Sequence, residues 1–182
     1  KVTLSSEISS AQKRVDASDA GISTPEDMYD YADELVEEAE PIMNKSLALK
    51  KEAEEKEGED KNYLLAQARQ LELESQDKLL QASDFKKQAN EASYNTNKAA
   101  ISELLKKLKE DNPDLASQYE DRLNDYSPLK AQIRNLRDEA NSLSNKGAKI
   151  GALSNAEDKE LELLTKQSSL LSDLKKQYPT YV

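Results

Sequence analysis

A heptad register without a slip is the feature that most constrains how this chain folds. Small or apolar residues recur along one segment at alternating spacings of four and three: Met28, Ala32, Leu35, Ala39, Ile42, Ser46, Leu49 and Ala53. A helix with this spacing carries all of these side chains on one seam, so the segment is suited to packing against other helices. The register continues through Pro41, which favours a kinked helix over a loop at this point.

Capping residues, prolines and glycines mark the predicted helix boundaries. Thr24 and Pro25 begin the helix that carries the seam, and Gly58 predicts a tight reversal into a long second helix capped by Asp60. Residues 93–97 are as compatible with a break as with continuity, because they contain weak helix formers. Other predicted segments are a short helix over 4–15, helices over 99–109, 113–126, 127–143 and 154–178, and a connector over 147–151.

Composition favours an all-α fold with thin cores. The chain is 36% apolar, 5% aromatic and 34% charged, and its four Gly and five Pro are too few for an all-β chain with frequent turns. We predict an elongated antiparallel helical bundle, or coiled-coil hairpins, with six or seven helices. It forms a single all-helical module over 1–182, with candidate sub-units 1–111 and 112–182. Because the chain begins with Lys, we expect it to be a fragment of a larger protein.

Net charge restricts the classes of partner. A formal charge of −10 opposes binding to nucleic acid or to an anionic bilayer, since both attract a positive surface. No apolar stretch approaches about 18 residues, so we predict no direct membrane insertion. The expected partner is another protein or a second copy of this chain.

Catalytic chemistry has few suitable side chains in this sequence. The absence of His and Cys excludes imidazole acid-base catalysis, thiol nucleophiles and His- or Cys-ligated metal sites. The segment from Gly147 to Gly151 lacks the Gly-Lys-Ser/Thr ending of a phosphate-binding loop. We therefore predict no enzyme activity, no catalytic residue, no metal, no cofactor and no small-molecule substrate.

An uninterrupted acidic run is the sharpest charged feature of the sequence. It comprises Glu26, Asp27, Asp30, Asp33, Glu34, Glu37, Glu38 and Glu40, with no Lys or Arg among them. Relative to the seam, nearly all of these carboxylates are expected to point outward. They form a solvated face, a docking surface for a basic protein or a cation site; the last is disfavoured because a rigid helix rarely converges enough oxygens. The candidate protein-binding residues are Glu26, Asp30, Asp33 and Glu37.

Tyr119 and Tyr126 are a second candidate pair for protein binding. They lie seven residues apart near predicted helix ends. Tyrosines at such positions either cover a narrow core with the hydroxyl in water or line a binding face.

The hairpin region from Leu49 to Ala92 is rich in Ala, Glu and Leu. It contains Glu52-Ala53-Glu54-Glu55, Leu64-Leu65-Ala66-Gln67-Ala68 and Leu71-Glu72-Leu73-Glu74. This part, about a quarter of the chain, resembles helical hairpins of large bacterial envelope proteins of the type IX secretion and gliding apparatus. The resemblance implies a scaffold outside the inner membrane, in the periplasm or cell envelope.

These observations predict a non-enzymatic structural scaffold, spacer or protein-docking module of a larger assembly. One alternative is an extracytoplasmic ligand-sensing helical bundle between membrane segments. Such a bundle needs Arg or aromatic groups that converge on a ligand, whereas the Arg residues here are scattered along the sequence. The other alternative is an acidic binding module for a basic protein partner.

Overall fold

The computed structural model describes residues 24–178, and the regular structure of this part of the chain is entirely helical. We number its helices α1 (Pro25–Glu54), α2 (Gly58–Asp111), α3 (Pro113–Asn124), α4 (Ser127–Ser142) and α5 (Lys146–Gln177). The all-α prediction is confirmed. The described residues contain five helices, fewer than the six or seven predicted for the whole chain. The helix predicted over 4–15 lies outside the described residues.

Helix α1 begins and packs as its sequence predicts. The Thr24 hydroxyl accepts a hydrogen bond from the Asp27 backbone N–H at 3.1 Å, and Pro25 occupies the first turn. The helix is continuous through Pro41. Its buried residues, Ala32, Leu35, Ala39, Ser46 and Ala53, all belong to the heptad seam.

Gly58 makes the reversal between α1 and α2. Its φ of +64° lies in the left-handed region, which glycine adopts without steric cost. The prediction that Asp60 caps α2 is wrong, because the helix already begins at Gly58 and Asp60 lies in its first turn. The reversal places the start of α2 alongside α1.

Two buried serine hydroxyls join the antiparallel helices α1 and α2. Ser46 Oγ donates to the Ala68 carbonyl oxygen at 2.6 Å, and Ser75 Oγ donates to the Ala39 carbonyl oxygen at 2.9 Å. As residue numbers rise along α1, the numbers of the partners in α2 fall, which is the signature of an antiparallel pair. The hydroxyl-to-carbonyl bonds require close approach of the two backbones, which small seam residues permit.

The structure decides two positions where the sequence suggested or allowed an interruption. Helix α2 runs without a break through residues 93–97, where Tyr94 packs against a hydrophobic core and outweighs the weak local propensity. The predicted connector over 147–151 is wrong, because it lies inside α5. Asn145 Oδ1 accepts from the Ala148 backbone N–H at 2.9 Å and so caps α5 well before the predicted start at Ser154.

The described residues form two compact units. The first unit contains residues 24–86 and 143–151, and the second contains residues 87–142 and 152–178. These boundaries differ from the candidate division at 111 and 112, since residues of α2, α3 and α5 share the core of the second unit. No helix between residues 24 and 178 combines the length and the hydropathy needed to cross a bilayer.

Each unit has its own hydrophobic core. In the first unit, Ala32, Leu35, Ala82 and Phe85 pack together, and the Tyr31 ring meets Phe85 edge to face with the ring centroids 4.9 Å apart. The core of the second unit contains Ile101, Leu104, Leu105, Leu108, Ala116, Tyr119, Tyr126, Leu163, Leu170 and Leu174.

Replacing Leu35 with Ala tests the seam register. Leu35 is 0% exposed, so Leu35→Ala should lower the free energy of unfolding by about 2–5 kcal/mol through lost burial and a cavity. The matched control is Leu47→Ala on the same helix, where the side chain is 53% exposed and the cost should stay below about 1 kcal/mol. Urea denaturation followed by circular dichroism measures both. Equal costs would show that the seam does not face α2.

Candidate functional site

The acidic run of α1 is exposed apart from one carboxylate. The four candidate binding residues, Glu26, Asp30, Asp33 and Glu37, all lie at the solvent surface of α1. Glu38 is the exception, because its Oε2 accepts a hydrogen bond from Lys78 Nζ of α2 at 3.0 Å. The tertiary structure therefore places one cation, Lys78 of α2, beside the acidic run. This cation lies where α1 contacts α2 and not on the exposed face.

Tyr119 and Tyr126 are core residues of the second unit. They are 9% and 8% exposed, and the Tyr126 hydroxyl donates to the Lys166 carbonyl oxygen at 2.9 Å. The Arg122 guanidinium carbon lies 5.7 Å from the centroid of the Tyr119 ring. Most of each side chain is therefore unavailable to a protein partner. Tyr126, however, also lines a cleft.

This cleft, which we call the lysine cleft, is an open cavity of about 540 Å³ in the second unit. Its walls come from α2, α3, α4 and α5 and from Tyr126 between α3 and α4, and they include Tyr94, Lys98, Lys106, Glu120, Lys130 and Gln167. Lys98 lies four positions from Tyr94 and shares its face of α2, whereas Lys106, twelve positions away, lies about 120° around the helix. Lys130 Nζ lies 5.4 Å from the centroid of the Tyr94 ring, a cation–π geometry.

A second cleft of about 430 Å³ shares Tyr94 and Lys130 with the lysine cleft. A largely buried ion pair of Arg137 and Glu160 lies in its wall, with side chains 11% and 12% exposed. Burial raises the pKa of Glu160, although the hydrogen bond from Arg137 favours the charged carboxylate. Arg137 Nε is buried without a hydrogen-bond partner. Perturbed, partly unsatisfied groups in a cleft are typical of binding sites and also of structural ion pairs.

Metal-ligating groups do not cluster in the part of the chain that the structure describes. Within residues 24–178, no three carboxylate, imidazole or thiol side chains are grouped so that they could hold a metal ion. Comparison of the chain with protein-family models, with curated proteins and with solved structures yields no match.

The sequence contains only part of the signal for the lysine cleft. The helical period places Tyr94 and Lys98 on one face of α2, but it does not group Lys106 with them. Lys130 and Gln167 come from distant helices, and no local pattern joins them to α2. The hypothesis that Tyr119 and Tyr126 share one surface did not identify this cleft, which contains only Tyr126 of the pair.

A double-mutant cycle tests the buried ion pair. Arg137→Met and Glu160→Leu should each cost about 3–5 kcal/mol of unfolding free energy, because each leaves the other charge buried and uncompensated. The double variant should be near neutral, or more stable by about 1–4 kcal/mol, since no charge then remains buried. Denaturant titration of the four proteins measures the coupling. Additive costs would contradict a direct pair.

The pH dependence of stability provides a separate check on Glu160. Its pKa is raised in the folded chain, so the folded state binds a proton before the unfolded state does as the pH falls. The contribution of Glu160 to stability therefore increases as the pH falls through its folded pKa. As the pH is lowered from about 7 to about 4, the free energy of unfolding of the wild type should increase relative to that of Glu160→Gln. A pH-independent difference would contradict the raised pKa.

Proposed function

We propose that this chain is a non-enzymatic scaffold and protein-docking module, in which α1 presents an acidic face to a basic protein partner. One observation carries the proposal: the seam of α1 is buried while its candidate binding carboxylates, Glu26, Asp30, Asp33 and Glu37, remain exposed. A helix of 30 residues extends over about 45 Å at about 1.5 Å per residue, which suits a spacer as well as a docking surface.

Electrostatics favours a basic partner for this face. Carboxylates spaced three or four residues apart on one helix repel each other by a few tenths of a kcal/mol per pair, and a positive neighbour relieves that repulsion. Lys78 neutralises only Glu38, at the edge of the run. A complementary positive surface would also accelerate association and make it sensitive to salt.

The antiparallel bundle belongs to the same proposal. An antiparallel bundle is built from antiparallel helix pairs, and the serine-linked pair of α1 and α2 is one such pair. The elongated shape expected from the sequence stays a prediction, which small-angle X-ray scattering tests. A periplasmic or cell-envelope location, implied by the resemblance of residues 49–92, stays a prediction as well.

A second candidate function, the ligand-sensing helical bundle, is favoured by the lysine cleft. A sensor needs cationic and aromatic groups that converge between helices. Lys98, Lys130 and Tyr94 meet that need, although Arg69, Arg122 and Arg137 are each paired with a carboxylate. We rank this function second because it also requires a signalling connection outside the described residues.

Neutralising the acidic face tests the docking function. The fourfold variant Glu26→Gln, Asp30→Asn, Asp33→Asn, Glu37→Gln should lose capture of basic proteins from the native source, and its circular dichroism spectrum should remain that of the wild type. Wild-type capture should weaken as salt rises, because the contacts are between exposed charges. Pull-down at two salt concentrations followed by mass spectrometry gives both results.

A second fourfold variant controls for net charge alone. Glu52→Gln, Glu54→Gln, Glu55→Gln, Glu59→Gln removes the same charge from exposed positions at the hairpin end. Capture should be unchanged in this control. If both variants recover the same proteins as the wild type, the acidic face is a solvated surface. If both lose them equally, the binding reflects net charge and not the face of α1.

A further inference from the structure

Three lysines that line the lysine cleft have no carboxylate partner among the described residues. Lys98 and Lys106 from α2 line the cleft and make no ion pair or hydrogen bond among the described residues. Lys130 from α4 contacts the Tyr94 ring and likewise has no carboxylate partner there. The other lysine of the cleft, Lys109, lies 3.9 Å from Glu120. In a chain with a formal charge of −10, such a cluster is a local positive field that an anion would stabilise.

The cleft also has apolar walls. Ile101, Leu105 and Leu123 line it together with the rings of Tyr94 and Tyr126. Its volume of about 540 Å³ falls in the range of clefts that hold small organic ligands, about 300–1,000 Å³. An inorganic anion would leave these apolar walls uncovered. A ligand with an apolar body and an acidic group would meet both the walls and the lysines.

Gln167 belongs to the buried wall of the cleft. It is 2% exposed, and its Nε2 donates to the Tyr94 carbonyl oxygen at 3.3 Å. Its Oε1 is buried with no hydrogen-bond partner, so it lies behind the wall and does not contact the open cleft.

We propose that the lysine cleft binds a small amphipathic anion. Its acidic group lies beside Lys98, Lys106 and Lys130, and its apolar body packs on the Tyr94 side of the cleft. This inference goes beyond the docking function proposed for α1 and does not depend on it, because the two sites share no residue.

Two fluorescent probes with the same aromatic body test the site. One is 8-anilino-1-naphthalenesulfonate, which carries a sulfonate and an N–H group; the other is N-phenyl-1-naphthylamine, which lacks only the sulfonate. Fluorescence titration of the full chain should give one saturable site that prefers the sulfonate probe. In Lys98→Gln/Lys106→Gln, affinity for the sulfonate probe should fall about fivefold to tenfold, while affinity for the neutral probe is unchanged.

Lysines outside the cleft supply the matched control. Lys45→Gln/Lys61→Gln removes the same charge from exposed positions of the first unit and should leave both affinities unchanged. The proposal is overturned if no saturable site is found, if the control variant loses as much affinity as the cleft variant, or if the neutral probe is affected as strongly as the sulfonate probe.

Discussion

The close contact between α1 and α2 is the interaction on which the first unit depends. Alanine and serine at the seam let the two backbones approach, so that the Ser46 and Ser75 hydroxyls reach carbonyl oxygens of the opposite helix. Each such bond contributes only about 1 kcal/mol, but it requires one register and one separation of the helices. That geometry directs the carboxylates of α1 away from α2. The acidic face therefore lies on the side of α1 away from the buried seam.

The second unit packs differently from the first. Its core contains Leu and Tyr side chains, yet polar groups lie at its edge: the ion pair of Arg137 and Glu160, and the amide of Gln167. A buried ion pair seldom adds stability compared with apolar residues of the same size, because desolvation offsets the attraction. Incomplete hydrogen bonding at Arg137 Nε and Gln167 Oε1 adds to that cost. Groups retained at such a cost beside open clefts are candidates for ligand recognition.

The two proposed sites have opposite charge. The face of α1 is acidic, in keeping with the net charge of the chain, whereas the lysine cleft is locally basic. An exposed face with few apolar groups suits a macromolecular partner whose charge is spread over a surface. A concave site with apolar walls suits a small ligand. The net charge of the chain predicts a basic macromolecular partner. It does not indicate the anionic ligand of the cleft, because net charge is a sum over the whole molecule.

The sequence by itself determined the elements whose causes are local. Thr24 and Pro25 specify the start of α1, the heptad register specifies its buried seam, and Gly58 specifies the reversal, because capping, periodicity and backbone freedom act within a few residues. Only the tertiary structure determined the features for which the local sequence signals were weak, and those that bring together residues distant in the sequence. Contact with a core keeps α2 helical through 93–97, and Asn145 caps α5 ahead of the glycines. The lysine cleft joins residues from four helices, and their proximity follows from packing, which no local period encodes.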